Sequence, residues 1–244
     1  MIKKALVVGG SNGIGLSIAT ELSNNPNTEK VYILDKALLA KEFCNKKFEF
    51  YSFDLTQSDF SIFSKFQDID TLIITAGFGK LALFKDIDDS YIINSFNVNT
   101  VAAIRIIKLF YNKLLSIDDF YCGIMVSIAG FMSSPFLSVY GATKAALKIF
   151  IESVNVELEK AGTSNRILNV SPGSIKGTSF NNGKTDLSQL SPLAIEIIQH
   201  IVSKNDLFIP HYEDIYKNVL DRYHEDFRKE GLHSYEYKLN SGRM

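Results

Sequence analysis

Residues 5–15 read Ala5-Leu-Val-Val8-Gly9-Gly-Ser-Asn-Gly13-Ile-Gly15, and Leu16, Ile18, Ala19 and Leu22 follow at helical spacing. A short apolar run that ends in glycines and passes into a periodic apolar stripe reads as strand, tight turn and helix. Without side chains at Gly9, Gly13 and Gly15, a pyrophosphate can approach the backbone and the helix amino terminus, where unpaired N–H groups and the helix dipole favour anions. Ser11 and Asn12 add donors, so the candidate phosphate loop is Gly9, Ser11, Asn12, Gly13, Ile14 and Gly15.

The pattern then repeats. Strand-like runs lie at Val31–Leu34, Phe48–Phe53, Thr71–Thr75, Tyr121–Ser127, Ile167–Ser171 and Leu207–Ile209, with helical segments between most of them. Alternation of this kind requires crossover connections, which give an α/β fold: a doubly wound parallel sheet with helices on both faces, in one domain spanning 1–244. Only about a dozen residues separate Asp35 from Phe48, so any helix there is a few turns at most. Beyond Pro172 the chain is polar from Ser174 to Ser191, which reads as a mobile substrate loop, and helical periodicity resumes at Leu193–Val202. Tyr212 to Lys229 reads as one amphipathic helix, followed by a polar tail to residue 244.

Composition narrows the partners. The net charge of −1, with acidic and basic residues interspersed, gives no footprint for nucleic acid or an anionic membrane surface. No apolar stretch reaches transmembrane length, and the four-residue run before Gly9 is too short for a signal-peptide core. Cys44 and Cys122 lack metal-ligand spacing and read as reduced thiols, which points to the cytoplasm. His200, His211, His224 and His233 show no ligand spacing, so no metal is expected. The run Asp86, Asp88, Asp89 reads as a solvated helix start.

Chemistry concentrates between Ser127 and Lys144. A strand delivers Ser127 at its end, and Tyr140 and Lys144 lie four apart at the start of a helix, hence on one face. For a phenol to exchange protons near neutral pH its anion must be stabilised by roughly 4 kcal/mol, about what an ammonium ~4 Å away supplies at an effective dielectric near 20. Lys144 is the candidate source, and Ser127 would hold a substrate oxygen beside Tyr140. The pair alone is weak, because about one Tyr-xxx-Lys is expected by chance, and Tyr32 with Lys36 forms another on a strand. Asp35, twenty residues after Gly15, can accept hydrogen bonds from both adenosine ribose hydroxyls and repel a 2′-phosphate, which favours NAD over NADP. Lys36 beside it could partly compensate that charge, so NADP stays open.

Taken in order, these features make the chain resemble the short-chain dehydrogenase/reductase family over roughly residues 1 to 180. The resemblance rests on the Gly9, Gly13, Gly15 loop, Asp54-Leu55, Ala76-Gly77, Asn99, Ser127, Tyr140, Lys144 and Pro172-Gly173, each after a strand or on a helix in the family's order. It implies a hydride-transferring oxidoreductase acting on a carbonyl or secondary alcohol. Ser127, Tyr140 and Lys144 would be catalytic, and Asn99 would sustain a proton relay from within a bent helix. Asp54 and Leu55 would sit against the adenine and Ala76 and Gly77 along the cofactor. Tyr140 and Lys144 would touch the nicotinamide end, with Pro172, Gly173, Ile175 and Thr178 beside it. A homodimer or homotetramer through the helices beginning near Asn99 and Val139 is also implied.

The chain departs from the family pattern at Val8 and Ile74-Thr75, at Gly177, which stands as an insertion before Thr178, and in its carboxyl terminus. Within the enzyme class, a 3-oxoacyl thioester reductase competes with a sugar, polyol or steroid dehydrogenase. A non-catalytic dinucleotide sensor is the rival from another class.

Overall fold

Along Lys4–Val8 (β1), Leu6 and Val8 enter one apolar cluster while Ala5 and Val7 enter another, the alternation of a strand buried on both faces. The same division holds for Thr71–Ile74 (β4), where Leu72 and Ile74 oppose Ile73. The remaining strands are Lys30–Asp35 (β2), Phe48–Ser52 (β3), Tyr121–Met125 (β5), Ile167–Val170 (β6) and Leu207–Phe208 (β7). In this computed structural model, which describes residues 1–178, 180 and 184–240, the seven pair in parallel in the order β3-β2-β1-β4-β5-β6-β7.

Helices Gly13–Asn24 (α1) and Leu187–Val202 (α5) cover one face through Ile18, Leu22, Ala194, Ile197 and Ile201. Asp89–Phe96 (α2) continues through a π-helical turn, Asn97–Val101, into Ala102–Leu115 (α3). Helix α3 and Ser138–Lys160 (α4) cover the other face through Ile106, Phe110, Leu147 and Ile151, beside Phe53, Phe60, Phe63 and Phe66. Between β2 and β3 there is only the 3₁₀ turn Lys41–Phe43, matching the short connection expected there. The strand order reverses between β1 and β4, and a crevice opens beyond the carboxyl ends of those strands.

Two helical readings change. Helix α5 begins at Leu187 rather than Leu193 because the Asp186 carboxylate accepts from the Ser188 N–H and caps it, and the helix runs through Pro192. The expected single helix over Tyr212 to Lys229 is a π-helical turn, Tyr212–Tyr216, then Lys217–Glu225 (α6), a break at Asp226, and Phe227–Asn240 (α7). Asp226 Oδ1 accepts from the N–H groups of Arg228 and Lys229, so the break is a capped restart, and most of the expected tail is helix. Residues 179, 181–183 and 241–244, parts of the expected substrate loop and tail, lie outside the described residues.

Candidate active site

The glycine loop is packed to the limit. A Cβ on Gly15 would lie 2.2 Å from the Gly9 carbonyl oxygen, and one on Gly9, where φ is +88°, would lie 2.4 Å from the Ala76 nitrogen. Thr75, at one of the departures from the family pattern, donates its hydroxyl toward the carbonyls of Val8 and Gly9 at 3.2 and 2.9 Å and so ties the ends of β1 and β4 together. The backbone N–H of Gly13 donates to Thr185 Oγ1 at 2.9 Å. An oxygen already seated on the first turn of α1, together with glycines that leave no room for a Cβ, fits this loop to a pyrophosphate. Ile14 is half-buried and packs into the cluster shared by α1 and α5.

A cleft of about 330 Å³ continues from this loop past Asp35, Asp54, Leu55, Ala76 and Gly77. Ser11 differs from expectation: both its N–H (3.1 Å) and its hydroxyl (2.6 Å) donate to Asp35 Oδ2, so its donors are aimed at the acid. Asn12 lines the cleft, and its amide reaches Ser11 Oγ at 3.4 Å. Asp35 Oδ1 accepts from the Ala37 N–H, which fixes the carboxylate at the cleft wall. Lys36 turns away to Asp54, 2.7 Å from its carboxylate. That ammonium, with the Thr56 N–H and hydroxyl, holds Asp54 down at about 2.

Beyond Gly77 lies the candidate catalytic group. The π-helical turn buries Asn99, which accepts from the Phe78 N–H at 3.0 Å and donates to the Phe78 carbonyl at 2.9 Å and to Thr143 Oγ1 at 3.1 Å. The π-helical turn inserts one extra residue where α2 passes into α3. Ser127 follows β5, its hydroxyl accepting from the Ala129 N–H and donating to the Pro172 carbonyl at 3.4 Å. The turn after it rests on α4: a Cβ on Gly130 would lie 2.8 Å from the Lys144 carbonyl carbon, and one on Gly141 3.0 Å from the Ala129 carbonyl oxygen. That contact sets the Ser127 hydroxyl near enough to the Tyr140 phenol to favour its anion.

The electrostatics differ from the sequence expectation that Lys144 pulls the phenol down. Burial pushes Tyr140 up to about 12, opposed by the nearby Ser127 hydroxyl. Burial also pushes Lys144 down to about 8. Lys144 Nζ donates to the Met125 carbonyl at 2.8 Å and lies over the Tyr140 ring, 5.6 Å from its centre. In the protein itself desolvation therefore outweighs the ammonium's attraction.

Pro172, Gly173, Ile175 and Thr178 follow β6. Thr178 is buried, donates to the Ile175 carbonyl at 3.0 Å and faces Gly13. Three aromatic residues at the site escaped sequence reasoning. Phe180 packs on Tyr140 with ring centres 5.2 Å apart, Tyr91 on α2 lies within electrostatic reach of the Tyr140 phenol, and Tyr216 presses its hydroxyl against Gly173. Tyr216 arrives with the carboxyl-terminal helices, which pack on the loop between Ser127 and Tyr140. The Tyr235 and Phe136 ring centres are 4.4 Å apart, and Lys238 Nζ donates to Ser134 Oγ and the Pro135 carbonyl, both at 2.8 Å. Among the described residues no group of three or more His, Cys, Asp or Glu is placed to hold a metal, and no helix is long and apolar enough to cross a membrane.

Known proteins share this fold. The short chain dehydrogenase family model matches residues 3–188. An uncharacterized oxidoreductase of Saccharomyces cerevisiae is 28% identical over 204 residues, covering 77% of this chain and 65% of that protein, so this chain spans just under two thirds of that relative's length. A short-chain dehydrogenase structure from Streptomyces avermitilis superposes with a TM-score of 0.76 at 18% identity, covering 96% of this chain and 99% of the other. An alcohol dehydrogenase from Thermococcus sibiricus, complexed with 5-hydroxy-NADP, superposes with a TM-score of 0.70 at 16% identity, covering 86% of this chain and 96% of the other. With a seven-stranded parallel sheet, a glycine-lined crevice at its switch point and the family model spanning three quarters of its length, the chain belongs to the short-chain dehydrogenase/reductase family of oxidoreductases.

Proposed function

We propose that the protein moves hydride between a nicotinamide dinucleotide and a carbonyl or secondary alcohol, with Tyr140 exchanging the proton of the reacting oxygen. The observation that carries this reading is the placing of buried Lys144 over the Tyr140 ring, with Ser127 anchored on the Pro172 carbonyl just after β5, next to the glycine-lined cleft. The bound cofactor supplies or accepts the hydride and, when oxidised, adds a positive charge near the phenol. The protein's own residues do the rest. Ser127 orients the substrate oxygen, and Tyr140 gives it a proton in reduction or takes one in oxidation. Lys144 holds the nicotinamide ribose and favours the phenolate, and Asn99 fixes the Phe78 peptide beside them and serves the relay that restores the proton. Turnover of any member of a carbonyl panel with NADH or NADPH supports this assignment; cofactor binding without turnover of any member overturns it in favour of a sensor.

NAD is the preferred cofactor in this reading. Asp35 is tethered at the cleft wall, where a 2′-phosphate would meet its charge, while Lys36 is engaged by Asp54. Exchanging Asp35→Ser should lower the ratio of kcat/KM with NADH to that with NADPH by about tenfold or more, measured with one substrate. An unchanged ratio removes the assignment. We place the protein in the cytoplasm on its two free cysteines, one of them buried.

Self-association into a homodimer or homotetramer belongs to the same reading. Val101 and Leu109 at α3, and Ile149 and Val156 on α4, leave apolar side chains exposed on the two helices the family resemblance implicates. Sedimentation equilibrium should return at least twice the chain mass of 27.3 kDa.

A further inference from the structure

Gly173 is approached more closely than any other described glycine. A Cβ there would lie 1.6 Å from Tyr216 Oη and 2.7 Å from the ring carbon that bears it, and among the described residues nothing outside that ring and the glycine's own chain neighbours would lie closer than 3.5 Å. Its φ is not left-handed, so the backbone would accept a side chain and the phenol is what forbids one. The chain is bent to deliver the ring. His211 stands at φ +59°, and the turn after it closes from the Tyr216 N–H to the His211 carbonyl at 3.2 Å, the wide spacing of a π turn. A left-handed residue other than glycine and a π turn are each costly, and each persists where its surroundings hold it. Gly173 is one peptide away from the candidate catalytic group. The Pro172 carbonyl, at the other end of that peptide, accepts from the Ile128 N–H at 3.1 Å and from the Ser127 hydroxyl at 3.4 Å. Tyr216 also packs on the small apolar cluster of Ile128, Ile209 and Leu220. One ring therefore bears both on the peptide that anchors Ser127 and on the cluster that holds the residue after it.

We propose that Tyr216 is a positioning residue: its phenol fixes the Pro172-Gly173 peptide and thereby sets the Ser127 hydroxyl for the reacting oxygen, and position 173 lacks a side chain to admit it. Tyr216 acts through Ser127 and makes no bond to the substrate. It lies beyond residues 3–188 that the family model matches, so it belongs to this chain's own carboxyl terminus. That segment is fastened at a distance. The buried Glu230 carboxylate accepts from Arg222 Nε at 2.7 Å and Nη2 at 3.1 Å, which joins α6 to α7, and α7 reaches the loop before α4 through Tyr235 and Lys238. The proposal rests on the oxidoreductase reading above, in which Ser127 orients the substrate oxygen.

Two measurements test it. In urea unfolding, Gly173→Ala should lower the midpoint in wild type, where the new methyl meets Tyr216. In Tyr216→Ala the same change should leave the midpoint in place or raise it, because the methyl has room and alanine restricts the unfolded chain. In kinetics with NADH and the member of the carbonyl panel that wild type reduces fastest, Tyr216→Phe should lower kcat about tenfold, since a small misplacement of an orienting group slows a reaction strongly. In Ser127→Ala, whose residual turnover is read at high enzyme concentration, there is no hydroxyl to position, and adding Tyr216→Phe should change kcat by less than about twofold. If Gly173→Ala shifts the midpoint alike in both backgrounds, the phenol does not occupy that position. Equal kinetic losses with and without the Ser127 hydroxyl mean that Tyr216 merely supports the fold, and an unchanged kcat in Tyr216→Phe means that it sets nothing. Each of these overturns the proposal while leaving the oxidoreductase reading intact. Wild type that reduces no member of the panel removes the oxidoreductase reading, and the proposal falls with it even where the unfolding result holds.

Discussion

Tyr140→Phe is expected to lower kcat by about a thousandfold, the scale of a lost general acid, while NADH affinity measured by calorimetry changes little. The asymmetry follows from what the hydroxyl touches. The nearby Ser127 hydroxyl is held by the Ala129 N–H and the Pro172 carbonyl and keeps both when the phenol is gone. No buried partner is orphaned, so the loss in stability should stay near 1 kcal/mol. The ring also remains to pack against Phe180 and to lie beneath Lys144. A variant that keeps full turnover would remove Tyr140 from the mechanism, and one that loses NADH binding in proportion to turnover would make it a cofactor ligand instead.

Lys144→Met should likewise abolish turnover, yet leave the protein more stable at neutral pH. Lys144 is fully buried, with its amine pushed from 10.5 down to about 8. That depression corresponds to roughly 3 kcal/mol against folding when the ammonium is charged. Losing its bond to the Met125 carbonyl returns about 1 kcal/mol, for a net gain near 2 kcal/mol. The folded pKa lies below the unfolded one, so between pH 8 and 10.5 the unfolded chain binds more protons and wild-type stability rises with pH. The variant's advantage should therefore be complete below pH 8 and shrink above it. Urea unfolding at about pH 7 and 9.5 separates the cases and stops short of the range where Tyr140 titrates. An advantage independent of pH would mean that packing, not the buried charge, is its source.

The sequence carried the sheet well because the central strands are buried on both faces and their glycine or polar ends are abrupt, as at Val8-Gly9 and Met125 to Ser127. The spacing of Tyr140 and Lys144 likewise survives folding, since a helix converts four residues directly into one face. What stayed hidden was of two kinds. The restart at Asp226 and the whole of α7 lack a strong apolar stripe, their anchoring coming from Tyr235 and Lys238 reaching a distant loop. Asp226 was the available signal, as an acid that caps a helix directly after a periodic segment. The second kind is tertiary: nothing near Tyr91, Phe180 or Tyr216 in sequence marks it as a neighbour of Tyr140 or Gly173. The balance of charge was also illegible, because whether an ammonium or desolvation governs a phenol depends on where the lysine amine points, and here it points to the Met125 carbonyl.

The hydroxyl oxygen that Thr185 places on the Gly13 N–H changes what cofactor binding amounts to. A pyrophosphate oxygen arriving there does not create a hydrogen bond where there was none. It exchanges a neutral acceptor for a charged one, so that position contributes only the difference between the two, together with whatever Thr185 recovers by bonding elsewhere. Tight binding of a dinucleotide would then draw mainly on the groups along the rest of the cleft, from Asp35 and Asp54 to Gly77.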